Sequence, residues 1–367
     1  MACTRPLVRT KKGAITSLEK YIKGNGFKWE ETQLPTEAKT LEGSRQQKIL
    51  RTLKDNKAQL LPCGHCAACK LTNSKSWANR LEMETHYHVN AWFITLTYDD
   101  KHVPYGTSKK GDVINLTLNY KDIQDFIKRL RRHIDYHNKS IGKLMYYYAG
   151  EYGGKTHRPH FHGIFFDVPI KEDELKKYKS QNGNALYTVE WVEKLWGKGF
   201  ITVAPATWET MAYTARYTTK KIYGKEAKKH YENLGIEPEK CEMSLKPAIG
   251  AAYYFDHKDE IYANDTIYLA SGKTAKPPRY FDKLFDLEHA NADPLTAEDE
   301  AKINNSEDEL AKAESEELKI IKRARRKAAN DALFAQMKQE KCTLLEHFEK
   351  KEKVNEERMK KLIRNEI

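Results

Sequence analysis

The chain has 367 residues and a mass of 42.6 kDa, enough for one large or two ordinary domains with their own hydrophobic core. This size excludes a mini-protein that depends on disulfides. Charged residues make up 32% of the sequence, mean hydropathy is −0.79, and no apolar run approaches the ~18 residues that a membrane-spanning helix needs. We therefore expect neither a span across a bilayer nor a membrane partner.

The N-terminal sequence gives no sign of export. Polar and basic residues, not an apolar segment, follow Met1 to Pro6, so we expect no secretory signal and a reducing cytoplasmic compartment. In that compartment the six cysteines are expected to be thiols or metal ligands rather than members of a disulfide framework.

The net charge of +12 is unevenly distributed. From Glu288 to the end there are 17 basic and 19 acidic residues, so the whole basic excess lies upstream. The chain also holds 21 Tyr, 12 Phe and 6 Trp. Cations that neutralise phosphates and rings that stack on bases are the combination that binds single-stranded nucleic acid. A solvated basic surface is the alternative interpretation.

The first half of the chain yields four predicted elements. Residues 1–59 show no sustained period and predict an irregular arm or a short strand pair. A helix is predicted over 77–84 and a core strand over 91–98. Apolar residues at helical spacing behind an Asn119 cap predict an amphipathic helix over 123–134. Solvent or a phosphate backbone is the expected partner of its outward cations, Lys128, Arg129, Arg131 and Arg132.

The second half continues with a hairpin, a helix and a charged tail. The runs 143–152 and 160–166 flank a segment with Gly153, Gly154 and Pro159 and predict a β-hairpin. Thr207 is the expected N-cap of a helix over 208–223. From about residue 297 the composition predicts a tail that is helical or partly disordered. Its apolar residues are too scattered to predict a coiled coil: Leu333, Met337, Leu344 and Phe348.

The segment His160-Phe161-His162 lies in a predicted strand, where side chains alternate between faces. Both imidazoles therefore point to one side while Phe161 points into the core. Glu151 on the partner strand lies near the turn, within reach of the same face. Such a set can hold Mg²⁺ or Mn²⁺ and leave positions open for a phosphate oxygen. A purely structural histidine pair is the alternative.

Tyr213, Tyr217 and Lys220 fall on one face of the predicted helix, because residues three and four apart are neighbours there. An ammonium group and a divalent cation nearby would make phenolate formation easier and would stabilise charge on a scissile phosphate. The alternative is a tyrosine stripe that packs in the core, a role for which Trp208, Met211 and Ile222 are better candidates.

Cys63, Cys66 and Cys69 are spaced as metal ligands, with Cys3 or His65 as a possible fourth. A structural Zn²⁺ is the expected occupant, and a set of reduced thiols is the alternative. Two further cysteines, Cys241 and Cys342, are expected to be isolated.

Three motifs occur in a defined order: Phe93 to Tyr98, then Gly150 to Gly153 with Arg158 to His162, then Tyr213-x-x-x-Tyr217-x-x-Lys220. This set resembles the motifs of rolling-circle replication initiators, the HUH endonucleases. Its spacing is most similar to that of the initiators of small single-stranded DNA phages of the Microviridae, gokushovirus branch. The cysteine segment and the opening Met1-Ala2-Cys3 also resemble that group. The resemblance covers roughly residues 60 to 285.

The resemblance implies an α+β fold with a central antiparallel sheet flanked by helices, as in the HUH endonuclease or RRM-like fold. It implies an arm over 1–59, an endonuclease domain with the cysteine cluster over 60–287, and a charged tail over 288–367. By the same resemblance His160 and His162 bind the cation, with Glu151 as the third ligand. Tyr213 and Tyr217 are the implied nucleophiles, Lys220 is the basic residue of the third motif, and the implied DNA contacts are Arg216, Lys221 and Arg158.

The implied activity is metal-dependent nicking and rejoining of origin DNA through 5′-phosphotyrosine intermediates. The implied partners are single-stranded or melted phage origin DNA and the polymerase and helicase of the host, in the bacterial cytoplasm. One alternative is a single-tyrosine relaxase or transposase of the same superfamily. The other is a non-enzymatic, zinc-containing protein that binds single-stranded nucleic acid.

Overall fold

The computed structural model describes residues 3–10, 15–18, 20, 58–112, 114–137, 143–154, 156–181, 184–216, 225–288, 328, 331–333, 335–337, 339–340 and 344–364. The chain forms two compact units, one of Met1–Thr72 with Asp282–Glu366 and one of Asn73–Phe281. The cysteine segment thus shares a unit with the N-terminal and C-terminal segments. The division into an arm, an endonuclease domain and a tail stays a prediction.

The elements are numbered along the chain. The strands are β1 (Leu7–Thr10), β2 (Ile15–Ser17), β3 (Ala58–Leu61), β4 (Ala91–Tyr98), β5 (Tyr105–Thr107), β6 (Ile114–Leu116), β7 (Tyr146–Tyr152), β8 (Pro159–Phe166), β9 (Lys176–Gln181), β10 (Asn184–Thr188), β11 (Gly199–Pro205), β12 (Cys241–Met243), β13 (Ile267–Tyr268) and β14 (Thr274–Ala275). The helices are α1 (Ala67–Thr85), α2 (Tyr120–His137), α3 (Glu190–Trp196), α4 (Trp208–Arg216), α5 (Lys225–Leu234), α6 (Ala251–Asn264), α7 (Arg279–Glu288) and α8 (Leu344–Arg364).

The unit Asn73–Phe281 is built on a seven-stranded sheet in the order β12-β7-β8-β4-β11-β10-β9. Every neighbouring pair in it is antiparallel. Two short strand pairs, β5 with β6 and β13 with β14, stand outside this sheet. The predicted α+β fold with a central antiparallel sheet and flanking helices is confirmed.

The two faces of the sheet carry different hydrophobic clusters because side chains alternate along each strand. One face packs against α2 and α3 through residues such as Leu96 and Phe161. The other packs against α4 and the second half of α1 through residues such as Phe93 and Ile164. Gly163 is required on β8, since a Cβ there would overlap the ring of Phe165. The sheet is therefore covered on both sides.

Several predicted boundaries agree with the structure. The strand predicted over 91–98 is β4, and the predicted hairpin is β7 with β8, although β7 begins only at Tyr146, where its ladder with β8 starts. Asn119 caps α2, since its Oδ1 accepts a hydrogen bond from the backbone N–H of Lys121 at 3.1 Å. Thr207 caps α4 by accepting one from the N–H of Thr210 at 3.3 Å. Residues 217–224 of that predicted helix lie outside the described residues.

The cations of α2 contact protein groups. Arg129 donates to the carbonyl oxygen of Leu195 at 2.7 Å, and the guanidinium of Arg131 lies 5.5 Å from the ring centroid of Tyr146. Lys128 forms an exposed ion pair with Asp125 at 3.3 Å. These arginines fix the helix to its neighbours.

In the first unit, β1 pairs with both β2 and β3, which extends the strand pair expected for the N-terminal segment into a three-stranded sheet. α1 begins at Ala67, ten residues before the helix predicted from the sequence. In the tail, α8 is helical as expected, and three of the apolar residues predicted for the tail are buried: Leu333, Met337 and Phe348. Within the described ranges, no helix is both long enough and apolar enough to traverse a lipid bilayer.

Candidate active site

The histidine pair occupies β8, the third strand of the seven. Phe161 points into the cluster beneath α2, and His160 and His162 point to the opposite face. The register places Glu151 of β7 directly opposite His160 and Thr95 of β4 directly opposite His162. Antiparallel partners point to the same side of a sheet, so these four polar side chains share one face.

Glu151 joins the two imidazoles. Its Oε2 lies 3.2 Å from Nε2 of His160 and 3.1 Å from Nε2 of His162. The three candidate ligand atoms all lie within 4.8 Å of one another. Glu151 is only 2% exposed. We call these three residues the carboxylate–histidine centre.

The other ring nitrogens indicate what this centre can hold. Nδ1 of His160 lies 3.0 Å from the carbonyl oxygen of Arg158, which only accepts, so this nitrogen carries the proton. Nδ1 of His162 lies 3.0 Å from Oγ1 of Thr95, which can accept in the same way. In the neutral imidazoles both Nε2 lone pairs then face the carboxylate. Such a donor set fits a shared cation.

Electrostatics keep the acid ionised. Burial alone would raise the pKa of Glu151, but the hydrogen bonds and positive charge of His160 and His162 outweigh it and hold that pKa well below its ordinary value. A carboxylate at neutral pH is the form that ligates a hard divalent cation.

Tyr213 of α4 lies beside this centre. Its ring centroid is 5.3 Å from that of His162, in an edge contact, and 6.1 Å from that of Phe93. The side chain is 5% exposed. The guanidinium carbon of Arg216 lies 5.7 Å from the same ring centroid. The structure therefore brings Tyr213 and the histidine pair together on one face.

Hydrogen bonds to α1 fix the position of α4. Ser74 donates to the carbonyl oxygen of Ala212 at 3.2 Å, and the indole N–H of Trp208 donates to Oδ1 of Asn79 at 3.2 Å. These contacts hold the tyrosine-bearing helix over β8.

Other predicted site residues are placed differently. Arg158 donates to the carbonyl oxygen of Tyr98 at 2.8 Å and pairs with Asp100, so its guanidinium ties the start of β8 to the end of β4. Several residues singled out in the sequence lie outside the described residues: Tyr217, Lys220, Lys221, Ile222 and Cys342.

Cys3, Cys63, Cys66 and Cys69, here called the thiol cluster, form a second candidate metal site in the unit Met1–Thr72 with Asp282–Glu366. Their sulfur atoms lie within 4.8 Å of one another, and those of Cys3 and Cys66 are 3.8 Å apart. A tetrahedral site with Zn–S bonds of about 2.3 Å has S···S edges of about 3.8 Å. Of the two candidates for the fourth ligand, Cys3 is therefore in place, whereas His65 is exposed.

The thiol cluster is supported from outside. The backbone N–H groups of Cys66 and Cys69 donate to the sulfurs of Cys63 and Cys66 at 3.3 and 3.4 Å. Hydrogen bonds from the Cys3 and Cys69 thiols lower the pKa of Cys66, which favours a thiolate.

The buried carboxylate of Glu352 on α8 accepts from the hydroxyl of Thr4 and from the N–H of Ala67. It therefore contacts both chain segments that carry the cysteines.

Sequence reasoning missed two supporting residues. Thr95 alternates with Thr97 on an otherwise apolar strand, and this alternation marks a polar strip on the face of the histidine pair. The contact of Glu352 has no signal in the sequence, because about 285 residues separate it from Ala67.

Comparisons with known proteins agree with this site. The family model of the replication-associated protein ORF2 matches residues 91–222, which include the carboxylate–histidine centre and Tyr213. The replication-associated protein ORF2 of Spiroplasma virus 4 is 35% identical over 232 residues, covering 62% of this chain and 68% of that protein.

Two further relatives have the same description. The replication-associated protein VP4 of Bdellovibrio phage phiMH2K is 30% identical over 261 residues, covering 69% of this chain and 75% of its own. The replication-associated protein ORF4 of Chlamydia phage 1 is 32% identical over 246 residues, covering 63% and 57%. No solved structure is significantly similar. The chain belongs to the family of the replication-associated protein ORF2.

Proposed function

We propose that the protein is a replication initiator of a single-stranded DNA phage that nicks and rejoins one strand of the origin with tyrosine nucleophiles. The observation that carries this proposal is the convergence of Glu151, His160 and His162 beside Tyr213, in a chain of the replication-associated family. Its substrate is unpaired origin DNA in the cytoplasm of the bacterial host.

The carboxylate–histidine centre is proposed to hold Mg²⁺ or Mn²⁺ through two imidazole nitrogens and one carboxylate oxygen. When bound, such a cation polarises a phosphate oxygen and offsets the charge that develops there. Thr95 and the carbonyl oxygen of Arg158 orient the two rings, so that both Nε2 lone pairs point at the cation.

In the proposed cleavage, the phenolic oxygen of a tyrosine forms a bond to phosphorus while the bond from phosphorus to O3′ breaks. The tyrosine proton leaves, the 3′ oxygen gains a proton, and the products are a 5′-phosphotyrosine and a free 3′-hydroxyl. A host polymerase, loaded with the host helicase, extends that hydroxyl. Attack by the second tyrosine and then by a 3′-hydroxyl reverses the chemistry and closes a circle.

Tyr213 and Tyr217 are the proposed nucleophiles, with Lys220, Lys221 and Arg216 at the phosphate. A single-tyrosine mechanism is the second candidate. The burial of Tyr213 favours it, because a residue that is 5% exposed and packed on Phe93 already has a structural role.

Tyrosine-to-phenylalanine variants separate the two mechanisms, since Phe keeps the packing and removes the nucleophile. With a labelled single-stranded origin oligonucleotide and Mn²⁺, we expect each single variant, Tyr213→Phe or Tyr217→Phe, to retain one cleavage step and lose the coupled joining. The double variant loses both. If Tyr213→Phe is silent and Tyr217→Phe abolishes both steps, the single-tyrosine mechanism holds. Cleavage by the double variant would refute both.

The thiol cluster is proposed to hold a structural Zn²⁺. The sulfur spacing and the four-thiol donor set support this occupant, because thiolates are the ligands of structural zinc and all four positions are filled by protein.

A further inference from the structure

A row of side chains leads from the carboxylate–histidine centre across the open face of the sheet. The registers place Glu151 opposite His160, His160 opposite Thr97, and Thr97 opposite Phe200. All four therefore point to the same side. Strands lie about 4.8 Å apart, so Phe200 lies two strand spacings, roughly 10 Å, from His160.

The row ends in two exposed aromatic rings. Phe200 on β11 is 38% exposed and Tyr178 on the edge strand β9 is 52% exposed. Their ring centroids are 5.0 Å apart at an interplanar angle of 61°. A pair of large rings on the surface, continuous with a candidate active site, indicates a binding surface.

The surface beside these rings is basic. Tyr178 lies within the sequence Lys176-Lys177-Tyr178-Lys179, whose four side chains are exposed. The ammonium of Lys179 lies 5.6 Å from the ring centroid of Tyr178. Lys176 pairs with Glu190 at 3.4 Å, so Lys177 and Lys179 supply most of the positive charge of this strand. Rings flanked by cations match a polyanion with stackable bases.

We propose that Phe200 and Tyr178 form a stacking platform for unpaired DNA on one side of the scissile phosphate, with Lys177 and Lys179 at its backbone. This inference rests on the proposed function, because the row is aligned with the centre where the scissile phosphate is placed. Lysines also protect an edge strand from pairing with other chains. That role requires no stacking rings, so the ring variants discriminate between the two.

The test is the affinity for 5′-fluorescein-labelled dT20, measured by anisotropy in EDTA, where no cleavage occurs. We expect Phe200→Ala and Tyr178→Ala each to weaken binding about tenfold. Phe200→Tyr and Tyr178→Phe keep a ring and should bind as the wild type does. The matched control is Tyr136→Ala, which removes an 81% exposed tyrosine from α2 on the other face of the sheet and should change nothing.

A salt series separates stacking from charge. Lys179→Ala is expected to reduce the slope of log affinity against log salt by about 0.7, whereas the ring variants leave it unchanged. If Phe200→Ala and Tyr178→Ala bind dT20 as tightly as the wild type does, the platform is refuted.

Cleavage assays keep this failure distinct from failure of the proposed function. With origin DNA, the ring variants should raise KM and leave kcat within about twofold. A protein that binds dT20 through these rings but never cleaves DNA would refute the nicking activity and leave the platform intact.

Discussion

The carboxylate–histidine centre and the thiol cluster are each built from residues that the chain brings together for a cation, but they differ in donor type and in completeness. The first offers two imidazole nitrogens and one carboxylate oxygen on a rigid sheet. Three protein ligands leave positions open, which a hard cation fills with substrate oxygens. The second offers four thiols, which complete a tetrahedral zinc site. An open centre suits chemistry, and a closed one suits folding.

The largest expected effect separates the two centres by activity. Glu151→Gln and His162→Gln each remove one ligand from the open centre and should lower the DNA cleavage rate by about a hundredfold or more. Zinc content should stay at the wild-type value. His137→Gln, an exposed histidine on α2, is the matched control. Full cleavage by His162→Gln would separate the centre from the chemistry.

The second effect is the loss of zinc. Protein purified without chelator should contain a single zinc ion per chain, and Cys66→Ser should lose it and unfold at a lower temperature, because metal binding contributes to folding. Cys241→Ser, outside the cluster, should retain the metal. Elemental analysis checks both variants, and wild-type protein without zinc would contradict the assignment.

A smaller effect is expected at the support of His162. Thr95→Val keeps the shape of the side chain but removes the hydroxyl that contacts Nδ1 at 3.0 Å. Affinity for Mn²⁺, measured by titration, should fall about 10- to 100-fold, as for other residues that orient a metal ligand. Thr95→Ser should restore it. Thr202→Val, directly opposite Thr95 on β11, is the control. Equal Mn²⁺ affinity in Thr95→Val would remove the orienting role.

The support of the thiol cluster is tested in the same way. Glu352→Gln weakens the hydrogen bonds from Thr4 and Ala67, and the free energy of unfolding should fall by about 1–2 kcal/mol. Glu356→Gln, whose side chain is 47% exposed, should change it by less than about 0.5 kcal/mol. Urea unfolding measures both. A larger loss for Glu356→Gln would place the main contact of α8 elsewhere.

The smallest effect comes from a histidine between two carboxylates that is not a metal site. His88 uses both ring nitrogens, Nδ1 toward Asp167 at 2.6 Å and Nε2 toward Glu84 at 3.0 Å. Burial lowers the pKa of His88, but the two carboxylates outweigh it and raise that pKa overall. Its stabilisation is therefore fully present below the unfolded pKa of about 6.5 and is lost as pH rises through the higher folded value.

The measurement is urea unfolding at a series of pH values. His88→Gln should lower the free energy of unfolding more at pH 6 than at pH 9, with or without Mn²⁺. A difference that grows with pH, or that depends on Mn²⁺, would contradict this description of His88.

The extent to which the sequence predicted these sites depends on how local each pattern is. Strand periodicity alone places His160 and His162 on one face, and the hairpin brings Glu151 to them, because both arguments use short-range geometry. The fourth thiol was left open between Cys3 and His65, since only the folded chain brings residue 3 next to residue 66. The row from His160 to Phe200 needs the strand order, which no local pattern contains.

The start of α1 shows a related limit. Its first residues carry the cysteines and lack an amphipathic period, so the helix was predicted only from residue 77. A tertiary contact supplies what the local pattern lacks, because Glu352 accepts a hydrogen bond from the N–H of Ala67 at the helix start.

The most direct test of the central claim is covalent capture of the DNA. Wild-type protein, incubated with Mn²⁺ and a labelled single-stranded oligonucleotide that carries the origin, is separated on a denaturing gel. We predict a labelled protein–DNA species that is absent in EDTA, absent in His160→Gln and absent in the Tyr213→Phe, Tyr217→Phe double variant. No such species with the wild type, or one that persists in EDTA, would contradict a metal-dependent tyrosine nuclease.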